Sequence, residues 1–410
     1  MIPVCLYFQV HQPYRLRRYN YFDVGREHRY FDDVRNRELL RRVAEKCYLP
    51  ATAMLARLLA RHPGFAVSFS LSGCLLEQLH ADASDVLDAF RNLAADASGR
   101  VELLAETSHH SLAWLASREE FAAQIALHRR QIVEDFGREP RVFRNTELIY
   151  SDALAGVLEE NGYAGVLADG VTALLGDRSP HHVYRAATPG GLPLLLRDSR
   201  LSDDIAFRFS DGSWSEHPLT PEKYDRWIAG LSGELLSLFM DFETFGEHQR
   251  KEIGIFEFFE GWVSRHLARR GAHFLTPSGA IAALSCRDEL SALGTLSWAD
   301  EARDVSAWQG NDLQKDALKK LFGLEARIRA AASEDLQRDF RRLSTSDHFY
   351  YMATKSAADG DVHAYFSPYE SPYEAYMAFM HVVSDLERRL ARPARARGVS
   401  TGPPRPAPFA

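Results

Sequence analysis

Short runs of apolar residues, each ending in polar or acidic side chains, alternate along most of this chain with stretches whose apolar positions recur at helical spacing. The clearest run is Leu235-Leu-Ser-Leu-Phe-Met, which leads straight into Asp241-Phe-Glu-Thr-Phe-Gly246. An apolar run bounded by a turn signal predicts a strand buried on both faces, as in a parallel sheet. Gly246 supplies the turn. Asp241 and Glu243 are therefore expected where a buried strand opens into a loop. Glu243 is expected to face away from Asp241.

The same pattern recurs upstream. Val4–Val10 reads as a first strand, stopped at His11-Gln12-Pro13 because proline cannot continue a ladder. Further strands are expected over 65–71, 101–105 (followed by Glu106-Thr-Ser-His-His110), 142–147 and Gly165–Asp169. Helical spacing marks 51–61, a helix capped by Ser84-Asp85, and one opened by a Ser117/Glu120 capping box and carrying Phe121, Ile125, Ile132 and Phe136 on one face. Residues 183–205 contain Pro189-Gly190-Gly191 and two short apolar runs, which suggests an inserted hairpin or an irregular unit. Thr220-Pro221 starts another helix, Leu235 to Asp241 is the last barrel strand, and Ile255–Leu267 is a helix. After residue 300 the pattern is helical: 316–332, 335–343 and 371–390.

This alternation predicts an α/β fold, a parallel barrel or doubly wound sheet; polar groups at every strand end favour the barrel. The expected organisation is a barrel domain over 1–285, a helical C-terminal region over 286–391 and a disordered tail over 392–410, where Pro, Arg, Gly and Ala bury too little surface to order.

Composition changes this picture little. The chain has 410 residues, 46% hydrophobic and 26% charged, enough for a large core. A net charge of −7 with interleaved signs argues against nucleic acid or an anionic membrane as partner. No apolar run is long enough to span a bilayer, and the N-terminus reads as a strand, not a signal peptide, so a cytoplasmic protein is expected. Cys5, Cys47, Cys74 and Cys286 lack metal-ligand spacing and read as reduced, mostly buried thiols. The aromatic, arginine-rich stretch 14–42 reads equally as a sugar-facing loop or as a structured loop packed on the barrel.

The chemistry is expected among the strand-end acids: Glu147, Asp169 and Asp241, with Glu77, Glu106 and Glu243 nearby, joined by His11, His109, His110 and His248. Glycoside hydrolysis needs two carboxyl groups flanking the bond. Metal-assisted hydrolysis needs convergent His and acid ligands, and the spacing here, with no His-x-x-x-His, weakens it. A binding barrel without turnover remains the third reading. Aromatic residues beside acids favour a carbohydrate ligand, but spacing does not choose two acids among six.

Five segments in order then match a known family: His11-Gln12-Pro13, Gly73-Cys-Leu-Leu-Glu77, Arg144-Asn-Thr-Glu147, Asp241-Phe-Glu-Thr-Phe-Gly246 and Ser346-Asp-His-Phe-Tyr-Tyr351. The chain resembles glycoside hydrolase family 57, its α-amylase group most, over roughly residues 1–390. The resemblance implies an incomplete (β/α)7 barrel followed by a helical region. It implies a retaining enzyme on α-1,4-glucans that uses no metal or other cofactor. The family nucleophile falls on Glu147 and the general acid/base on Asp241. His11, Glu77, His110 and Asp347 fall on substrate-binding positions. Trp114, after the third strand's loop, is a candidate for the cleft, and Glu243 stays outside the pair. A retaining mechanism expects the two carboxyl groups about 5–5.5 Å apart. The alternatives are a 4-α-glucanotransferase with the same carboxylates, a metal-dependent polysaccharide hydrolase or deacetylase, and a glucan-binding protein without turnover. The oligomeric state is left open.

Overall fold

The computed structural model of this chain describes residues 1–96, 98–355 and 367–391. The expected tail, 392–410, lies outside them. The strands are β1 (Val4–Val10), β2 (Val67–Leu71), β3 (Val101–Leu103), β4 (Val142–Arg144), β5 (Gly165–Asp169), β6 (Val183–Ala186), β7 (Pro193–Arg197), β8 (Leu236–Asp241), β9 (Phe274–Leu275) and β10 (Glu289–Leu290).

Parallel pairing runs from β8 through β1 and β2 to β3, and from β4 through β5 and β7 back to β8. The ring closes through one bridge, Ala105 to Phe143, between the ends of β3 and β4. The β7–β8 seam is also thin, with the single pair Arg197–Ser237. This is a (β/α)7 barrel, incomplete at its two seams, with a helical region following it. Residues 183–205 are a hairpin with a twist on the expectation. β6 and β7 pair antiparallel, and β7 itself is a barrel strand, followed by the helix Ser199–Ala206. The sheet also gains β9 beside the start of β1 and β10 beside β6, the latter beyond residue 285.

All of β1 is buried, and its alternation divides the core. Cys5 and Tyr7 face the barrel interior with Leu104, Val142, Leu167, Leu195 and Phe239. Val4, Leu6, Phe8 and Val10 face outward onto helices such as Leu49–Arg61 and Ile255–Leu267. On the opposite flank, Phe143, Val166 and Leu194 pack against C-terminal side chains including Trp308, Phe340 and Phe379. Each fully buried large apolar side chain contributes roughly 1.5–3 kcal/mol, so both helical layers are bound to the barrel by ordinary core burial.

Several element ends differ from the pattern. The expected helix 316–332 breaks at Gly323-Leu324 into Asp312–Phe322 and Glu325–Ala331. Glycine is a poor interior helix residue, and Leu324 turns into the core. Ser117 caps Glu120 N at 3.2 Å, but Glu120 does not reach back. Its carboxylate receives Arg341 Nε at 2.8 Å, so the long-range contact takes the acid away from the box. Ser84 lies inside its helix and Ala83 is the cap.

The arginine-rich stretch 14–42 is largely a packed arm. Tyr14, Leu16, Tyr19, Tyr30 and Phe31 belong to the C-terminal-side core, while Tyr21 and Phe22 are exposed. Asp385, on the helix Pro372–Ala391, fixes this arm. It accepts Gly25 N at 2.5 Å, His28 Nδ1 at 2.7 Å and Tyr30 Oη at 2.6 Å. A fully buried carboxylate with these donors is costly to delete, because its removal leaves buried donors short of a charged acceptor. Asp385→Ala should cost about 3 kcal/mol, read as a lower urea midpoint for unfolding. An unchanged midpoint would show that the arm is held by packing alone.

Candidate active site

The C-terminal ends of the barrel strands surround a cleft of about 1110 Å³. In the register of the sheet, Gln9 on β1 pairs with Asp241 on β8, so both stand at the mouth. Arg197 from β7, Glu147 from beyond β4 and His11 from beyond β1 join them. Trp298 and Asp300 enter from the segment after β10, and Asp347 and Tyr350 from the short helix Ser346–Tyr350. The far side of the cleft thus belongs to the C-terminal part of the chain.

The β8 loop is pinned from below. Phe242 and Phe245 insert into an aromatic cluster, each 5.5 Å from the ring of Phe8. Gly246 has φ 100°, and a Cβ there would lie 1.9 Å from Lys46 O, so the motif needs glycine for both reasons. The strand's alternation ends at Asp241, where Phe242–Thr244 form one turn of 3-10 helix. The expectation for Glu243 does not hold: positions two apart share a face of an extended chain, and the turn leaves Glu243 on the side of Asp241. Instead of facing away, Glu243 lines the same cleft as Asp241.

Glu147 also departs from the extended strand expected over 142–147. β4 stops at Arg144, and Glu147 and Leu148 adopt left-handed φ values of 55° and 49°. For such residues this costs roughly 1–2 kcal/mol each. The turn is held by Leu148, buried in the barrel interior, and by Ser297 Oγ, which donates to Glu147 O at 2.9 Å. Both carboxylate oxygens accept hydrogen bonds: Oε1 from His110 Nε2 at 2.9 Å and Oε2 from Trp298 Nε1 at 2.7 Å.

His110 lies between two carboxylates, since its Nδ1 is 3.0 Å from Glu106 Oε2. Burial alone would strip its proton, but the bonds to Glu106 and Glu147 prevail and raise its pKa to about 9. Glu106 is fully buried; burial opposes its charge, but His110 holds its carboxyl down at about 2. His11 stacks on His110 with ring centroids 4.2 Å apart. Its Nδ1 meets Ser72 Oγ at 2.7 Å and its Nε2 meets Asp347 Oδ2 at 3.0 Å. Burial and the neighbouring charge of His110 lower its pKa despite Asp347, so the stack holds one charged ring and one neutral ring. Tyr48 Oη donates to Glu243 Oε1, and burial followed by repulsion from Asp241 raises the Glu243 carboxyl to about 8.

Of the residues expected from sequence, Glu147, Asp241, His11, His110 and Asp347 converge on this cleft. Glu77 and Trp114 do not line it. Glu77 pairs with Arg342 at 2.8 Å, and its carboxyl, though burial opposes charge, is held at about 2 by His109 and Arg342. Trp114 packs on Phe121, with the Arg118 guanidinium 3.0 Å from its ring centroid, and borders a different surface depression. Helix formation right after Leu112 turns both its ring and its neighbours away from the mouth. Trp298 and the buried Glu106 are the contacts that the sequence reading did not assign. Trp298 is 151 positions from Glu147, in a segment with no periodic pattern. Glu106 was visible only as one acid among several. Among the described residues no group of three or more His, Cys, Asp or Glu side chains is arranged to hold a metal ion. No described helix is long and apolar enough to cross a membrane.

A strand-end cleft carrying these carboxyl groups on a seven-stranded parallel barrel has the layout of a barrel enzyme's active site. Residues 5–292 match glycosyl hydrolase family 57. A Methanocaldococcus jannaschii protein named "Putative alpha-amylase" is 38% identical over 392 residues, 93% of this chain and 83% of that protein. The 4-alpha-glucanotransferase of Thermococcus litoralis superposes with TM-score 0.68 at 14% identity over 95% of this chain, which spans 60% of that longer chain. A family 57 branching enzyme of Thermococcus kodakaraensis gives TM-score 0.67 at 14% identity, covering 95% of this chain and 90% of its own. At such identities these two structures bear on the fold alone. The chain belongs to glycosyl hydrolase family 57.

The raised Glu243 makes a prediction about stability. Its folded pKa, about 8, exceeds the ordinary 4.5, so between those values the folded state holds a proton that the unfolded state has lost. Stability from this group therefore falls as pH rises from 4.5 to 8, by at most about 1.4 kcal/mol per pH unit. Urea unfolding of native protein and Glu243→Gln at pH 5, 6, 7 and 8 should show the variant gaining on the native protein as pH rises. A constant difference would mean that Glu243 is ionised throughout.

Proposed function

We propose that this chain is a retaining glycoside hydrolase of the α-amylase type, acting on α-1,4-linked glucans through Glu147 and Asp241. The observation that carries the reading is the paired placement of the two carboxyl groups in one cleft, with both oxygens of Glu147 engaged by donors. An ionised carboxylate is an acceptor only, and that is the state a nucleophile needs. The family match and the relative named an amylase support the substrate class.

In the first step a Glu147 oxygen gives an electron pair to the anomeric carbon. The glycosidic bond breaks, its electron pair goes to the leaving oxygen, and Asp241 supplies the proton. Each Glu147 oxygen has a second lone pair, so His110 and Trp298 hold the carboxylate in place while it attacks. In the second step Asp241 takes a proton from water, the water oxygen bonds to the anomeric carbon, and the bond to Glu147 breaks. His11, His110 and Asp347 are the proposed contacts for sugar hydroxyls. A sugar hydroxyl in place of water would give transfer by the same two carboxyl groups.

Incubation with maltoheptaose tests this. Shorter oligosaccharides with rising reducing ends are expected, and the first product should keep the α configuration by proton NMR. Redistribution into longer and shorter products at constant reducing ends would make the protein a transferase. Inversion would sink the retaining assignment, and no turnover would leave a binding protein. Glu147→Gln should lower turnover roughly 10³-fold or more while leaving the fold intact. Substantial residual activity would remove Glu147 as nucleophile.

A further inference from the structure

Glu106 is a buried acid that the reaction described above does not use. It does not line the cleft, so no sugar reaches it. Yet it is built in with care. Its Oε2 faces His110 Nδ1 at 3.0 Å, and its Oε1 accepts Gln9 Nε2 at 3.2 Å. The amide of Gln9 is oriented for this by Tyr7 Oη and Ser70 Oγ, both donating to Gln9 Oε1 at 2.7 Å. Below, Glu106 N donates to His128 Nδ1 at 3.2 Å, and His128 Nε2 donates to Leu71 O at 2.8 Å. His128 is therefore the neutral tautomer and adds no charge.

Charge counting shows what this acid supplies. In the resting site His110 stands between two carboxylates, Glu106 and Glu147. When Glu147 bonds to the anomeric carbon its negative charge is consumed, because the electron pair that carried it now forms the C–O bond. His110 then faces an ester on that side. Its ring face is covered by His11, which is backed by Asp347. Arg144, from β4, is a further buried cation in this part of the barrel and acts on Glu106. A buried imidazolium with no adjacent carboxylate sheds its proton.

Resting on the reading of Glu147 as nucleophile, we propose that Glu106 is a positioning residue for the second half of the reaction: it is the permanent counter-ion of His110. It keeps the His110 Nε2–H donating to the Glu147 ester until water or a sugar hydroxyl displaces it. That hydrogen bond stabilises the negative charge returning to Glu147 as the ester bond breaks, so it strengthens where the transition state needs it. The raised pKa of His110, about 9, agrees with a proton held firmly.

The test uses α-maltosyl fluoride, whose leaving group needs no proton, on native enzyme and Glu106→Gln. The variant keeps an acceptor beside His110 and removes only the charge. Its kcat should fall roughly 10–100-fold, the worth of a charge-assisted hydrogen bond, with KM falling alongside, so that kcat/KM changes much less. The glycosyl-enzyme should accumulate and be seen by intact-protein mass spectrometry. In the displacement step Asp241 acts as base, so alkaline loss of kcat reports His110, and that limb should move to lower pH in the variant. Equal losses in kcat and kcat/KM, without accumulation or a moved limb, would overturn the proposal and leave Glu106 structural. If the variant does not fold, the native enzyme decides. Trapped with a 5-fluoro α-maltosyl fluoride at pH 7, it should retain both His110 N–H signals in ¹⁵N-resolved NMR, and loss of one on trapping overturns the proposal. A native enzyme that forms no covalent adduct on Glu147 would refute the nucleophile assignment instead, a result distinct from an adduct whose His110 has lost its proton.

Discussion

Repulsion between carboxyl groups is the constraint that the cleft answers. Glu147, Asp203, Asp241, Glu243, Asp300 and Asp347 all line it, and four of them, Glu147, Glu243, Asp300 and Asp347, are buried, where water screens charge less. Each kind of acid is accommodated differently. Glu147 and Glu106 share one imidazolium. Asp347 leans on a histidine that burial, and then the charge of its stacked neighbour, keep neutral. Glu243 yields its charge and keeps a proton. Arg197 and Arg303 bind Asp169 and Asp203 in a crossed set of pairs along the other wall.

That arrangement depends on segments far apart in the chain. The segment after β10 bridges Tyr150 through Leu296, bonds the backbone of Glu147 through Ser297 and reaches its carboxylate through Trp298. Arg303 ties the same segment to Asp169 at the end of β5 and to Asp203 on the helix that follows β7. Asp347 arrives from the helical region, which the N-terminal arm clasps through Asp385. The barrel therefore presents Glu147 and Asp241, while the polypeptide beyond it completes their surroundings. Strain at His110, Glu147 and Leu148, all at left-handed φ, is sustained by this cross-bracing.

Much of this was legible in the sequence. Apolar runs ending in polar or acidic side chains marked β1, β5 and β8, and helical spacing marked Ile255–Leu267 to the residue. Ordered motifs pointed to Glu147, Asp241, His11, His110 and Asp347. The misreadings have different causes. Glu243 was set opposite Asp241 although positions two apart share a face of an extended chain, and the strand expected over 142–147 was carried onto Glu147, which lies in a one-turn helix. The Ser117/Glu120 box was read from spacing, but Glu120 is drawn to Arg341, 221 positions away. Trp114 was placed by its position after a strand, and Glu77 by its motif, yet each is committed to a nearby arginine.

The sequence by itself determined the order of strands and helices, which residues are buried and which acids stand at strand ends, because burial and periodicity are properties of neighbours along the chain. Only the tertiary structure decided which of those acids face one another, which keep a charge and which keep a proton. Those outcomes depend on distances between side chains that the barrel closes and the C-terminal region covers, and on the loss of water between them. Glu106 shows the difference most plainly: as a residue in a sequence it is one acid among many, and as a buried group 3.0 Å from His110 it governs the charge beside Glu147.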